Sequence, residues 1–277
     1  MKKITPHISN TVDLAVFAGQ SNMSGRGDAS LAAVCNVNAG FEYKAVSNPE
    51  TLSAVTEPFG LGEDKEGAIS DLNSNGITKR SGSMVSAAVD EYYNQTGRQL
   101  VAVSASIGGS RTSEWLNNYI TDAAQRLDAA KAFLTENGIT VGRVFVVWCQ
   151  GESDADDKLS ADAYKANTRN IFSAFKAHGA QKCFIVQIGH YNYIDYSVTA
   201  AGLTGKEWDE YYGIIRGAQA ELCESDDDFI LAGSFEPYIN NMKDQYHYNQ
   251  KAYNEVGRTV GESIGKYYKC MQHHRSR

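Results

Sequence analysis

Four short segments of this sequence hold residue types suited to acyl transfer. Ser21 stands in Gly19-Gln20-Ser21-Asn22-Met23, close to a glycine. A hydroxyl there can act as a nucleophile if it is exposed beside a base, with a backbone N–H nearby to hold an oxyanion. Taken alone, the same turn could simply cap a helix. The second segment, Ser106-Ile107-Gly108-Gly109-Ser110-Arg111, is followed by Trp115. Its paired glycines permit a close backbone approach, so that one amide faces a developing negative charge; a plain tight turn is the other reading. In the third, Trp148-Cys149-Gln150-Gly151-Glu152-Ser153-Asp154, an amide sits beside two carboxylates, and Gln150 is a neutral donor of the kind an oxyanion takes. The fourth, Asp244-Gln245-Tyr246-His247, sets a carboxylate three residues before an imidazole. One turn then brings it to Nδ1–H, fixing the tautomer and stabilising the imidazolium. In isolation that pair also suits a solvated surface turn.

Such groups need a scaffold that gathers them at one edge. Short apolar runs at 13–18, 100–105, 144–149, 183–188 and 229–232 alternate with segments of helical period at 83–94, 119–137, 161–177, 207–224 and 250–268. That alternation predicts a parallel sheet covered by helices, with strands buried on both faces. The expected fold is α/β, a three-layer α/β/α sandwich with a central five-stranded parallel sheet in one domain spanning 1–277. Residues 30–80, rich in Gly, Asn, Ser and Asp, read as a long irregular insertion after the first strand. Ligands of such sheets bind beyond the carboxyl ends of the strands, and each of the four segments follows an expected strand.

Taken together in this order, the four segments resemble the SGNH-hydrolase superfamily, of flavodoxin-like fold. Within it they are similar to the carbohydrate esterases that include acetylxylan esterases and sialate O-acetylesterase-like proteins. The resemblance rests on Gly19 to Met23, Gly108-Gly109-Ser110 with Trp115, Gln150 to Asp154, and Asp244 to His247, nearly the whole chain. It implies Ser21 as nucleophile and oxyanion donor, Gly109 as second donor with Gly108 as fallback, and Gln150 as third. It implies His247 as base and Asp244 as its orienting acid. Glu152 also fits a carboxylate role, and the nearness of Asp244 to His247 in the chain puts Asp244 ahead. Arg111, Gly108 and Asn22 fall on the substrate side, and Arg111 would meet a polar or anionic part of the ligand or simply pair at the surface. The implied activity is removal of O-acetyl groups from a carbohydrate through an acetyl-enzyme, with no cofactor and no metal; xylan-type and sialate-type substrates are not separable from these residues. A non-enzymatic carbohydrate-binding module with a degenerate site is the rival, although Ser21 and His247 are both present.

The remaining composition narrows the partners. A net charge of -7 without a Lys/Arg stripe argues against nucleic acid. No apolar run is long enough for a membrane, and residues 1–10 lack a signal-peptide core, so the expected location is cytoplasmic as written, or secreted if a leader has been removed. Five scattered cysteines without a Cys-x-x-Cys pair read as free thiols, and Cys149 as packing. Asp13, Asp154, Asp244 and His247 are too dispersed for a metal-dependent phosphoesterase. His190 is a weaker candidate base, having no carboxylate three residues before it. Tyr191, Tyr193, Tyr196 and Trp208 form either a sugar-stacking rim or a packed loop.

Overall fold

Runs of Val, Phe and Ala that bury both faces become strands of a parallel sheet. The computed structural model, which describes residues 7–65, 71–200 and 202–275, places all five expected runs in one sheet. That sheet has seven strands rather than five: β1 (Thr11–Gly19), β2 (Gly40–Lys44), β3 (Asn48–Ala54), β4 (Leu100–Ser106), β5 (Thr140–Cys149), β6 (Lys182–Gln187) and β7 (Phe229–Ser234). Their order is β3-β2-β4-β1-β5-β6-β7. Every neighbouring pair is parallel except β2 and β3, an antiparallel hairpin at one edge.

The two extra strands lie inside the stretch expected to be irregular. In β2, Phe41 and Tyr43 flank a buried Glu42, and β3 is an exposed edge of polar residues beginning Asn48-Pro49-Glu50, so neither shows an apolar run. Pairing with β4 makes them strands, and Pro is tolerated near the start of an edge strand. After the hairpin the chain returns to the carboxyl edge of the sheet. There Arg80 donates to the carbonyl of Ser106 at 2.8 Å and Asp71 accepts the N–H of Gly108 at 2.6 Å. Residues 66–70 of this insertion lie outside the described residues.

The helices are α1 (Ser21–Ser24), α2 (Val85–Thr96), α3 (Thr112–Glu114), α4 (Ile120–Glu136), α5 (Glu152–Asp156), α6 (Ala161–Ala177), α7 (Gly205–Ser225) and α8 (Gln250–Arg275). Alternation along β1 makes the two cores: Val12, Leu14, Val16 and Ala18 pack beneath α4 and α6, Ala15 and Phe17 beneath α2 and α8. The α4 stripe Ala123, Leu127, Ala130 and Leu134 is buried as its spacing predicts. Thr204 and Glu207 close a reciprocal capping box that starts α7. On α8, Gly257 and Gly261 lie against α2, where an added Cβ would stand 2.3 Å from the carbonyl oxygen of Met84 and 2.4 Å from that of Ala88. Glycine lets the two helices touch backbone to backbone, and α8 begins three residues after His247.

Candidate active site

The carboxyl ends of β1, β4 and β5 each release a short helix or turn, and the loop before α8 reaches over them. Ser21 opens α1 directly after β1 and is 8% exposed. Its Oγ lies 2.9 Å from Nε2 of His247. On the other side of the ring, Nδ1 of His247 is 2.9 Å from both oxygens of Asp244. Oδ1 of Asp244 also accepts the N–H groups of Tyr246 at 2.9 Å and His247 at 2.8 Å. Burial opposes its charge, yet these bonds and the neighbouring imidazole outweigh burial and hold its carboxyl down at about 2. An ionised Asp244 takes the Nδ1–H and leaves Nε2 able to accept the Ser21 proton.

Ser21 and Gly109 line the cavity, and their backbone N–H groups have no acceptor among the described residues. Gly109 has φ +67°, a conformation that glycine adopts readily. Gly108 lines the same wall, but its N–H is committed to Asp71, which Arg26 holds at 2.5 Å. The cavity over these groups measures about 260 Å³, and Arg26, Lys79, Glu152, Asp156 and Tyr246 help line it.

Several expected residues stand elsewhere. Gln150 is fully buried away from the cavity wall; its Nε2 donates to the carbonyl of Ser110 at 3.0 Å and to Asp154. With both amide hydrogens used, it offers none to an oxyanion; it braces the turn that presents Gly109. Trp115 braces the same turn through Nε1 to Oγ of Ser110 at 2.8 Å. Asn22 is also buried, a strut and not a substrate contact: its Nδ2 reaches Glu152 at 2.5 Å and the carbonyl of Tyr246 at 3.0 Å. Arg111 pairs with Asp157 and Glu114 outside the cavity. Glu152 makes no hydrogen bond to His247, so the carboxylate on the imidazole is that of Asp244. His190 is engaged with Asp209 at 2.7 Å and does not line the cavity. Tyr191, Tyr193, Tyr196 and Trp208 pack together around Tyr212, and none lines it either. Burial pushes the Cys149 thiol well up, leaving it unreactive.

Sequence reasoning missed Gln20, whose Oε1 accepts the N–H groups of Gly151 at 3.2 Å and Ser153 at 3.4 Å, and the buried Arg26–Asp71 pair. Gln20 directly precedes Ser21 in the chain. Asp71 carried no local signal, being fixed by partners far along the chain.

Residues 11–266 match the SASA family, described as carbohydrate esterase, sialic acid-specific acetylesterase. The chain belongs to this family. SASA esterases lie within the SGNH hydrolases, and the chain is accordingly a carboxylic ester hydrolase acting on O-acetylated carbohydrate. No curated protein sequence matches it. Among solved structures it is similar to a protein from Arabidopsis thaliana, with TM-score 0.64, 17% identity and coverage of 92% of this chain and 97% of the other. A carbohydrate acetylesterase from Xanthomonas citri aligns with TM-score 0.53 and 16% identity over 91% of this chain, which spans 55% of that protein. An acetyl-xylooligosaccharide esterase from Geobacillus stearothermophilus gives TM-score 0.51 and 12% identity, covering 91% and 94%. At these identities the likeness is one of fold.

Proposed function

We propose that this SASA esterase deacetylates a glycan by a serine mechanism centred on Ser21. His247 Nε2 takes the hydroxyl proton while Oγ attacks the acetyl carbonyl, and the N–H groups of Ser21 and Gly109 hold the oxyanion. Collapse breaks the bond to the sugar oxygen, which leaves with the proton from His247. Water then attacks the acetyl-enzyme, His247 again taking the proton, and acetate and the free hydroxyl of Ser21 are regenerated. The observation that carries this reading is the unbroken series Asp244–His247–Ser21, each contact at 2.9 Å, beside two open amides.

Acetylated xylan is one substrate class. A second is an acetylated acidic sugar such as a sialic acid, the class that the description of the matching family names. Acetate release from acetylated xylan, acetylated sialic acid and p-nitrophenyl acetate tests both levels. Ser21→Ala and His247→Ala are expected to lower kcat by on the order of 10⁶-fold. Release indifferent to Ser21 overturns the mechanism; the ratio between the two glycans decides the class.

A further inference from the structure

The serine mechanism leaves Glu152 without a task, although it lines the cavity beside Ser21. Its side chain opens α5 and is 4% exposed. Oε1 accepts Nδ2 of Asn22 at 2.5 Å, while Oε2 is buried with no partner among the described residues. Nor does any Lys, Arg or His among them pair with it; the groups facing it are acidic or neutral. Asp154 and Asp156 come from α5, Cys149 from β5, Tyr164 from α6, Tyr212 from α7, Tyr248 from the loop before α8 and Tyr253 from α8. Arg26 and His247 stand elsewhere on the cavity wall.

The Asn22 amide has a fixed sense. Its Oδ1 accepts the hydroxyl of Tyr253 at 2.6 Å, so the nitrogen end is the one that reaches Glu152 Oε1 and the carbonyl of Tyr246. Oε1 is therefore an acceptor, and a proton on this carboxyl belongs on Oε2. Asn22 adjoins Ser21 and Tyr246 adjoins His247, so a single strut, seated on Glu152, joins the segments that carry the nucleophile and the base.

We propose that Glu152 acts in its protonated form as a positioning residue: it seats Asn22, and in that form it places no negative charge beside the oxyanion. An ionised carboxylate there would leave Oε2 charged, buried and unpaired, the most costly arrangement for a polar group. Burial pushes the carboxyl up to about 7. This inference rests on the serine-esterase reading.

Glu152→Gln keeps an acceptor for Asn22 and cannot ionise. With the folded carboxyl at about 7 and the unfolded one at ~4.3, the unfolded chain releases its proton first as pH rises, so the wild type loses stability across that window. The melting temperature of Glu152→Gln should therefore gain on that of the wild type from about pH 4.5 to about 7 and keep a constant lead above. The variant should hold kcat/KM within about tenfold of wild type below pH 7, against a ~10⁴-fold fall for Asp244→Asn, and lose less rate on the alkaline side. Glu152→Ala, which unseats Asn22, should fall well below Glu152→Gln. The proposal is overturned by a flat or opposite melting difference, by a Gln variant that fails to fold, or by one as inactive as Asp244→Asn. A wild type whose acetate release ignores Ser21 sinks the serine reading instead, and the melting comparison still reports the protonation of Glu152.

Discussion

An imidazole accepts a serine proton only at its unprotonated nitrogen, and at His247 the choice of nitrogen is made by Asp244. Asp244→Asn turns an acceptor into a group that can also donate to Nδ1, favouring the wrong tautomer, and should lower kcat by ~10⁴-fold in steady-state acetate release. The same carboxylate contributes to acid stability. Its folded pKa of about 2 lies below the unfolded value, so its contribution is present above about pH 4 and is lost as pH falls towards 2. Acid melting should therefore show Asp244→Asn losing less stability than the wild type over that interval. The contact between Asp244 and His247 was legible because a spacing of three fixes their local geometry, and Ser21 and Gly109 because each follows the end of an apolar strand. Gln150, Asn22 and Arg111 were not: their amides and guanidinium are claimed by Ser110, Glu152 and Asp157, none of which is a chain neighbour.

At the level of elements, the loop that carries His247 is anchored by α8, and α8 is anchored by its contact with α2. Replacing Gly261 by Ala raises helix propensity by ~0.5–1 kcal/mol, but the new Cβ would sit 2.4 Å from the Ala88 carbonyl. Overpacking of this kind costs about 1–3 kcal/mol, so the clash prevails. Urea denaturation should show Gly261→Ala net destabilised, and KM or kcat should worsen as the His247 loop shifts with the helix. The five parallel strands inferred from sequence were visible as continuous apolar runs. β2 and β3 were hidden because Phe41 and Tyr43 are interrupted by charges, and β3 owes its conformation to pairing alone. Gly257 and Gly261 read as weak helix formers until the partner helix explains them.

Across the whole molecule, β1 lies at the middle of the sheet, and side chains on the neighbouring β5 knit the layers together. Phe145 on β5 is fully buried and meets Phe184 with ring centroids 5.4 Å apart and Tyr92 at 5.8 Å. Phe145→Ala should cost ~3–5 kcal/mol, a large part of the ~5–15 kcal/mol that holds a typical domain folded. Calorimetry should find its melting temperature lowered with the active-site contacts unchanged in the surviving fold. Layering and strand direction were readable from periodicity; the return of the 30–80 insertion to the cavity through Asp71 and Lys79 was not, because polar loops are placed by partners and carry no period.

Ser21 and His247 touch at 2.9 Å yet stand 226 positions apart in the chain. A ribosome therefore makes Ser21, Gly109 and every strand of the sheet before it makes His247. On the proposed mechanism, a chain cut short of residue 247 lacks the group that takes the Ser21 proton, however much of the sheet it contains.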